Sequence, residues 1–349
     1  GEISKNHKCL GVAGTHGKTT TSTLLAHMMQ VCNMSFNAFL GGISSNFNNN
    51  FVKRDDAEYT VIEADEFDRS FLQLRPFASI ITSVDPDHLD IYGDRETFKE
   101  GFDAYASLID PKGVLIERYG LEMKTSAKTL TYAIEEPSAD FNATNVRVEN
   151  GRFVFDLKSK ENAWNNLIIG LPGLHNIENA LACIALCSSL GAEEAKIREA
   201  LESFKGVKRR FETLMQNKKV TYIDDYAHHP TAIETLIKSI RLLHPNKNIL
   251  GVFQPHLFTR TRDFMDGFAK ELSALDECIL MPIYPAREKP ILGITSEALA
   301  KMTENKAQVL QSPNDVLNFI KNRDNEVVVT IGAGDIDRLV QPIKNILSE

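Results

Sequence analysis

A glycine-rich segment near the N terminus has the residue types and the spacing that bind phosphate groups. The segment from Gly14 to Thr20 reads GTHGKTT and separates an apolar strand pattern from a helical pattern. In such a turn, consecutive backbone N–H groups at the start of a helix point at phosphate oxygens. Lys18 would neutralise the β- and γ-phosphates of a nucleotide, and the Thr19 hydroxyl would bind Mg²⁺. The segment therefore predicts a phosphate-binding loop, called the P-loop below.

The glycines of the P-loop depart from the strict pattern. That pattern has a glycine five residues before its Gly-Lys pair, and Val12 occupies this position. Gly11, Gly14 and Gly17 are instead spaced by three. An ordinary glycine-rich turn with an accidental lysine is the alternative. The strand pattern before the loop, the helix pattern after it and the Gly-Lys-Thr at their junction favour phosphate binding.

Acidic residues follow two later β-branched runs, at the points where each strand is expected to end. Glu63 and Glu66 follow the first run, which begins at Tyr59. The second run begins at Ala78, and the candidate metal ligands after it are Asp85, Asp87, His88 and Asp90. One carboxylate alone is typical of a solvated loop or a helix cap. Because the carboxyl ends of parallel strands converge on one crevice, the two clusters together predict Mg²⁺ ligands above the P-loop.

The elements that must position these residues alternate between strands and helices, which predicts an α/β fold in two domains. Residues 1–207 are expected to form a P-loop-type central domain with a mostly parallel sheet. Residues 208–349 are expected to form a smaller Rossmann-like α/β domain, after a charged segment that begins at Lys205. The helices predicted in the first domain are 95–108, 176–190 and 193–204. The strands predicted in the second domain begin at Val220, Asn248, Glu277 and Glu326.

Length and composition exclude several classes of protein. The 349 residues, with 43% hydrophobic and 25% charged side chains, favour two folded domains over a disordered chain. The formal charge of −8 argues against a protein that coats nucleic acid. Five scattered cysteines match no zinc pattern, and the i, i+4 pair Cys183 and Cys187 is typical of small buried thiols. With no membrane span and no signal peptide, the sequence predicts a cytoplasmic location.

Taken together, the motifs of the first domain resemble the Mur ligases, the ATP-dependent amide-forming enzymes of peptidoglycan biosynthesis. The matching segments are the P-loop, the Glu-Ala-Asp-Glu that begins at Glu63 and the pair Asp87-His88. Later motifs narrow the resemblance to the members that join L-alanine to UDP-N-acetylmuramate. These later motifs begin at His175, Arg209, Asp224, Phe253 and Ile283. The resemblance spans essentially the whole chain and implies a role in cell wall biogenesis, cell shape and cell division.

The resemblance implies a role for each matching residue. The triphosphate would be held by Gly14, Thr15, His16, Gly17, Lys18, Thr19 and Thr20. Magnesium would be positioned by Thr19, Glu63 and His88. Adenine would be met by Asn176 and Asn179, and the phosphates and ribose by Arg210 and Asp225. The amino-acid and muramate side would be lined by Tyr226, His228, His229, His256, Arg260 and Arg262.

Several of these residues also have simple structural interpretations. Asn176 could cap the helix that it begins. Arg260 and Arg262 fall where a strand gives way to a helix, and either could be a solvated surface charge. His228 and His229 precede Pro230, so both are expected in a turn, where a histidine pair alone is typical of polar surface.

The chemistry of amide formation explains why such residues are needed. The lactyl carboxylate would attack the γ-phosphate of ATP and give an acyl phosphate, which the alanine amine would then attack. Lys18, Mg²⁺ and His88 would offset the charge of the transferring phosphoryl group. His228 or His229 would accept the amine proton, and the arginine pair at 260 and 262 would bind the alanine carboxylate. Closure of the second domain over the nucleotide would exclude water.

Two departures from the family are visible. Several Mur ligases carry a carbamylated lysine after the magnesium-binding histidine, and the corresponding position here is Phe102. These ligases also have a first, UDP-binding domain, whereas this chain starts at Gly1, only a few residues before the P-loop strand. The expectation is therefore that this chain lacks the UDP-binding domain, folds, binds Mg·ATP and forms little product.

Three other functions remain open at this point. A related Mur ligase would add a preformed peptide to UDP-N-acetylmuramate and would differ mainly in the segment after Gln254. An ATP-binding module without ligase turnover would fit a chain that lacks the UDP-binding domain. A P-loop kinase or GTPase would not need a second α/β domain with its own histidine and arginine motifs. No nucleic-acid partner is expected, and the oligomeric state does not follow from the sequence.

Overall fold

The computed structural model of the chain describes residues 7–85, 92–161, 163–305 and 307–348. The chain divides into two units, Gly1–Lys208 and Arg209–Glu349, and each has its own sheet with helices packed on it. The predicted α/β fold class is confirmed. Of the helices in the described part of the chain, none has the length and apolar character needed to cross a membrane.

The first unit contains ten strands, four α-helices and one 3₁₀ helix, counted over its described residues. The strands are β1 (Lys8–Ala13), β2 (Phe36–Ser44), β3 (Asn49–Val52), β4 (Tyr59–Glu63), β5 (Pro76–Ile81), β6 (Val114–Arg118), β7 (Lys128–Ile134), β8 (Phe141–Glu149), β9 (Arg152–Ser159) and β10 (Ala163–Ile169). The helices are α1 (Lys18–Val31), α2 (Arg95–Ala106), α3 (Leu174–Ser189), α4 (Glu194–Ser203) and the 3₁₀ helix Phe67–Gln73. The three predicted helices correspond to α2, α3 and α4.

The strand order of this sheet is β10-β9-β8-β7-β6-β5-β1-β4-β2-β3. All pairs from β8 to β2 are parallel, whereas β3, β9 and β10 pair antiparallel at the two edges. Strand β1 lies between β4 and β5, with Val12 opposite both Glu63 and Ile80. The P-loop after β1 is therefore flanked by the carboxyl ends of the two strands that precede the acidic clusters.

Helix α1 is buried along most of its length. Leu24, Leu25, Met28 and Met29 are almost completely buried, as their helical spacing predicts. The same helix also buries the hydroxyl side chains from Thr19 to Thr23, which places polar groups beside the P-loop. Tight packing on both sides fixes where α1 begins and, with it, the direction of the P-loop N–H groups.

The second unit has a six-stranded sheet in the order β11-β12-β16-β13-β14-β15, parallel except for the edge pair β11–β12. The strands are β11 (Glu212–Gln216), β12 (Thr221–Asp225), β13 (Ile249–Phe253), β14 (Glu277–Leu280), β15 (Gln308–Val309) and β16 (Val327–Ile331). The helices are α5 (Pro230–Leu243), α6 (Phe258–Asp263), α7 (Met265–Leu272), α8 (Ser296–Met302), α9 (Pro313–Lys321) and α10 (Asp337–Ser348). The four strands predicted for this half correspond to β12, β13, β14 and β16.

Apolar side chains of this sheet alternate between two cores. Val327 and Val329 of β16 pack in one hydrophobic cluster, and Val328 packs in the other. Because successive strand residues point to opposite faces, a continuous apolar run requires cover on both faces. With both faces covered, the polar residues at the carboxyl ends of β12 and β13 lie at one edge of the sheet, because these strands run in the same direction.

Candidate functional site

The P-loop backbone has a shape that only glycine permits at two positions. Gly14 and Gly17 have φ values of 131° and 83°. A Cβ at Gly14 would lie 2.1 Å from Oγ1 of Thr82 and 2.9 Å from the backbone nitrogen of Ser83. Gly17 is the N-cap of α1 and provides no capping side chain for the first-turn N–H groups, which include those of Lys18, Thr19 and Thr20. These N–H groups form the kind of site that binds a phosphate.

The loop is also tied to the segment that follows β5. The backbone N–H of Thr15 donates to the carbonyl of Ser83 at 3.2 Å, and the N–H of His16 donates to the Ser83 hydroxyl at 2.9 Å. The Thr15 hydroxyl donates to the carbonyl of Asp85 at 2.7 Å, and the His16 ring lies 3.6 Å from the Asp85 carboxylate. The loop is therefore held in shape by protein contacts rather than by a ligand.

Lys18 lies folded over the P-loop and is paired with a buried carboxylate. Its ammonium group donates to both oxygens of Glu66, at 2.7 and 2.8 Å, and to the carbonyl of Gly14 at 2.9 Å. Glu66 is almost completely buried, and burial raises the pKa of its carboxyl while the Lys18 charge lowers it. The sequence placed Glu66 among the candidate metal ligands, and the structure instead gives it a contact with the P-loop lysine.

Thr19 and Glu63 are brought together beside the loop. The Thr19 hydroxyl donates to Oε1 of Glu63 at 3.0 Å, and the backbone N–H of Gly41 donates to Oε2 at 3.0 Å. A Cβ at Gly41 would lie 2.1 Å from Oε2, so the glycine leaves the space that the carboxylate occupies. A hydroxyl and a carboxylate oxygen are hard donors of the kind that Mg²⁺ prefers, and the pair fits that ion.

The remaining expected metal ligands lie mostly outside the described residues. His88, Asp87 and Asp90 lie outside the described residues, so the structure describes only Asp85 from the second acidic cluster. Within the described ranges, no group of three or more His, Cys, Asp or Glu side chains is arranged to hold a metal ion. The five cysteines are free, and Cys183 and Cys187 are buried in α3 as small thiols.

Asn176 and Asn179 lie at the start of α3 and contact each other. Gly173 is the N-cap of this helix, so Asn176 does not cap it. The Asn176 amide donates to the carbonyl of Pro172, and the Asn179 amide donates to Oδ1 of Asn176 at 3.3 Å. Oδ1 of Asn179 lies 2.9 Å from the position of a Cβ at Gly17. The two asparagines are therefore adjacent to the phosphate loop, where the base of a bound nucleotide could reach them.

The position that would carry a carbamylated lysine is part of an aromatic cluster. Phe102 is fully buried, and its ring centroid lies 5.3 Å from those of Phe71 and Phe98. The ring of Tyr105 stacks on Phe71 at 4.9 Å. A charged group in this cluster would be buried among apolar rings without a partner, at high cost. The apolar surroundings of position 102 therefore agree with a phenylalanine, and not a lysine, at this position.

A second polar cluster lies within the second unit. The His228 ring contacts Tyr226 edge-on at 5.3 Å, and its centroid lies 6.3 Å from that of His256. His256 stacks on Tyr284 at 5.6 Å and accepts a hydrogen bond from the guanidinium of Arg260, at 3.3 Å. The structure thus joins residues from three separate sequence motifs into one cationic, aromatic-walled site.

Two expected members have other contacts. His229 is the N-cap of α5, its ring accepts from the N–H of Thr231, and it packs edge-on against Phe264 at 4.5 Å. Arg262 pairs with Asp263 at 2.7 Å, and its side chain is half exposed. Tyr284 was not singled out as a site residue, although it lies in the motif that begins at Ile283.

His228 is held as a neutral ring. Its Nδ1–H donates to the carbonyl of Tyr226 at 2.9 Å, which leaves Nε2 as the acceptor. Burial, together with the charge of Arg260, lowers the pKa of His228 to about 3. A ring with this pKa stays unprotonated at neutral pH and can accept a hydrogen bond from an amine.

This lowered pKa predicts a loss of stability in mild acid. The unfolded chain binds a proton at His228 below about pH 6.5, whereas the folded chain does so only near pH 3. Between pH 6.5 and 5, we expect the free energy of unfolding to fall by roughly 1–2 kcal/mol relative to a His228→Gln variant. Urea unfolding of both proteins across this range measures the difference. If the free energy of unfolding changed with pH in the same way in both proteins, the lowered pKa of His228 would be contradicted.

The consecutive arginines at the start of the second unit have different surroundings. Both guanidinium groups lie over the Tyr226 ring, at 5.3 Å for Arg209 and 4.8 Å for Arg210, but Arg209 also donates to Asp224 at 3.2 Å and to the carbonyl of Gly332 at 2.7 Å. Asp225 is buried and accepts from two backbone N–H groups, and burial raises its pKa to about 6. Arg209 therefore belongs to the framework, and Arg210 lies beside the polar cluster.

We expect Arg209→Ala to destabilise the second unit far more than Arg210→Ala. The first change leaves the buried carboxylate of Asp224 without its cation, which costs roughly 3 kcal/mol. The second removes a cation–π contact worth about 0.5–1 kcal/mol and a charge near Asp225, whose carboxylate keeps its two backbone hydrogen bonds. Denaturant unfolding of the two variants compares them directly, and equal midpoints would refute the distinction.

Comparison with known protein families gives matches to both units. The profile of the Mur ligase middle domain matches residues 12–187. The profile described as the Mur ligase, glutamate ligase domain matches residues 209–334. Together these two matches cover most of the chain.

Individual relatives and solved structures agree with these matches. UDP-N-acetylmuramate–L-alanine ligase from Cytophaga hutchinsonii is 45% identical over 350 residues, which cover 99% of this chain and 75% of that protein. The same-named protein from Flavobacterium psychrophilum is 47% identical, with 100% and 77% covered. The crystal structure of UDP-N-acetylmuramate–alanine ligase from Thermotoga maritima superposes with a TM-score of 0.81 at 26% identity, over 99% of this chain and 76% of that one.

Proposed function

This chain belongs to the Mur ligase family, and we propose that it joins L-alanine to the lactyl carboxylate of UDP-N-acetylmuramate in an ATP-dependent reaction. The observation that carries the proposal is the P-loop, with Lys18 and the Thr19–Glu63 pair, in a chain with 44–47% identity to ligases of that name. Such a reaction belongs to peptidoglycan biosynthesis.

The first unit supplies the nucleotide site. The N–H groups of the P-loop bind phosphate oxygens, and Lys18 neutralises charge on the β- and γ-phosphates. His16 and the loop residues around it shape the cradle through their contacts with Ser83. Asn176 and Asn179 lie where they can bind the adenine base.

Thr19 and Glu63 are the residues that would hold Mg²⁺, with His88 as a third ligand. The bound ion would neutralise charge on the β- and γ-phosphates of ATP. Glu63 is kept in place for this by the N–H of Gly41, and Thr19 by its position in the first turn of α1. The attack of the lactyl carboxylate on the γ-phosphate then requires positioning more than covalent participation of the protein.

The second unit supplies the amino-acid site. Arg260 can bind the alanine carboxylate through two parallel hydrogen bonds, and Arg262 is a second candidate for this role. The Nε2 lone pair of His228 can accept a hydrogen bond from the alanine amine, although its lowered pKa makes it a weak base, and His229 is the other candidate for accepting the amine proton. Tyr226 and His256 form the walls around these groups.

The substrates indicate where in the cell the reaction takes place. Both ATP and a UDP-linked sugar are small soluble metabolites, and ATP is maintained at high concentration in the cytoplasm, so we place the protein there. Neither substrate requires a nucleic acid or a membrane partner.

Phosphate release from ATP tests the function. UDP-N-acetylmuramate and L-alanine are supplied singly and together, with a tripeptide in place of alanine as a further arm. We expect release to require both substrates, with the alanyl product detected by mass spectrometry, and to be much greater when the UDP-binding domain of a Mur ligase is supplied in the same chain. Faster release with the tripeptide would favour the peptide-adding relatives, and release without either substrate would favour an ATPase. Calorimetry with a non-hydrolysable ATP analogue, with and without Mg²⁺, tests the nucleotide site independently of turnover.

A further inference from the structure

The Glu66 carboxylate is a buried group beside the P-loop for which the reaction provides no obvious role. Both of its oxygens accept hydrogen bonds from the Lys18 ammonium, at 2.7 and 2.8 Å. The third N–H of that ammonium donates to the carbonyl of Gly14 at 2.9 Å. All three N–H groups of the Lys18 ammonium therefore donate to protein acceptors, and two of the three acceptor atoms are the carboxylate oxygens of Glu66.

Glu66 is itself held from its backbone. The Tyr92 hydroxyl donates to the carbonyl of Glu66 at 2.6 Å. Tyr92 is buried and packs edge-on against Phe98 at 4.8 Å, and the guanidinium of Arg69 lies 5.0 Å above its ring. The aromatic cluster thus fixes the backbone from which the Glu66 side chain extends.

The alternative role for Glu66 is that of a metal ligand. Its near neighbour Glu63 has the contacts expected of a ligand, because one oxygen lies against a threonine hydroxyl and the other against a backbone N–H. Both oxygens of Glu66 are instead occupied by a cation that is already part of the protein. A metal ion at Glu66 would compete with Lys18 for the same oxygens.

We propose that Glu66 is a positioning residue, which orients the Lys18 ammonium in the phosphate cradle. An incoming triphosphate then replaces one hydrogen bond of an ordered ammonium instead of capturing a mobile side chain. The kinetic consequence of this inference rests on the proposed function. The orientation of Lys18 does not, because it is a property of the ligand-free protein. Because the four-carbon stem of a lysine is flexible, the acceptors around its ammonium group determine where that group lies, and Glu66 provides two of the three acceptor atoms.

Labelling of the ligand-free protein tests the orientation without any catalytic assay. The protein is exposed to an amine-reactive acylating reagent, and modification of Lys18 is measured by mass spectrometry. We expect Glu66→Gln to increase the labelling rate of Lys18 several-fold, because the freed ammonium reaches solvent. Asp65→Asn is the matched control: it removes the neighbouring, exposed carboxylate, 3.9 Å from Lys18, and is expected to leave the rate unchanged. Equal labelling in all three proteins would overturn the proposal.

Kinetics then separate positioning from metal binding and from simple packing. With Glu66→Gln we expect kcat to fall by about 10- to 100-fold, as for other small displacements of a catalytic group, with less change in the KM for ATP. A loss that excess Mg²⁺ restores would overturn the proposal in favour of a metal ligand. A loss of folded protein with normal kcat per folded molecule would overturn it in favour of packing. Glu66→Asp, which keeps the charge, should recover part of kcat and covers the case in which the glutamine variant fails to fold.

If labelling changes as expected but the wild-type protein does not turn over substrate, even with a UDP-binding domain supplied in the same chain, the positioning of Lys18 stands and the proposed function fails. If the wild-type enzyme is active and labelling is insensitive to Glu66, the function stands and the positioning fails. The two conclusions are therefore tested separately.

Discussion

Lys18→Ala is expected to lower ligase turnover by at least about 1,000-fold, since it removes a preorganised positive charge from the transferring phosphoryl group. ATP binding should weaken in the same variant, because the proposed contact of Lys18 with the β- and γ-phosphates is also made before the reaction. Single-turnover kinetics and calorimetry with a non-hydrolysable analogue measure the two effects. Unchanged ATP affinity in a folded variant would refute the assignment of the P-loop.

The structure adds a stability effect to this prediction. Removing Lys18 leaves the buried carboxylate of Glu66 without a cation, which costs roughly 3 kcal/mol. The matched control is the double variant Lys18→Ala/Glu66→Gln, which removes both charges. We expect this variant to regain stability and to remain inactive. A double variant that regains turnover would show that the single variant failed only by unfolding.

Arg260→Ala is expected to raise the KM for alanine about 100-fold while changing the KM for ATP much less. Removing one partner of a buried charge pair costs about 2–5 kcal/mol, and each 1.4 kcal/mol is tenfold. The variant also removes the hydrogen bond to His256 and the charge that acts with burial to lower the pKa of His228. Steady-state kinetics with each substrate varied in turn measure the effect.

Arg262→Ala is the comparison for this prediction. Its guanidinium is half exposed and paired with Asp263, so we expect a rise in the KM for alanine of no more than a few-fold. An equal effect of both variants would mean that both arginines contact the alanine carboxylate. Equal loss for alanine and ATP with Arg260→Ala would instead assign this residue to a structural role.

Some of the site could be predicted from the sequence because its parts are contiguous. The P-loop needs a strand, a turn with glycines at fixed places and a helix start, all within a dozen residues, and local backbone geometry determines each. The strands around it have long β-branched runs, which indicate burial on both faces. The strands β2, β3 and β6 to β10 of the first unit were not predicted, because in all of them except β6 the apolar positions are interrupted by polar residues.

Residue type alone could not distinguish neighbours with different roles. Arg209 and Arg210 are adjacent and chemically identical, and both lie over Tyr226, yet it is Arg209 that also binds the buried carboxylate of Asp224. Arg209 has a φ of 62°, a left-handed conformation that the sequence does not signal in a non-glycine residue. The histidine pair at 228 and 229 divides in the same way, between a polar cluster and a helix cap.

The sequence by itself therefore determined the P-loop, the alternation of strands and helices, and the acidic residues at the strand ends. It did so because periodicity and turn chemistry are local properties of the chain. Only the tertiary structure decided that Lys18 pairs with Glu66 rather than standing free, and that His256 lies between His228 and Tyr284. These contacts join residues 28 to 48 positions apart, and their partners are selected by strand order and packing, which no local pattern encodes.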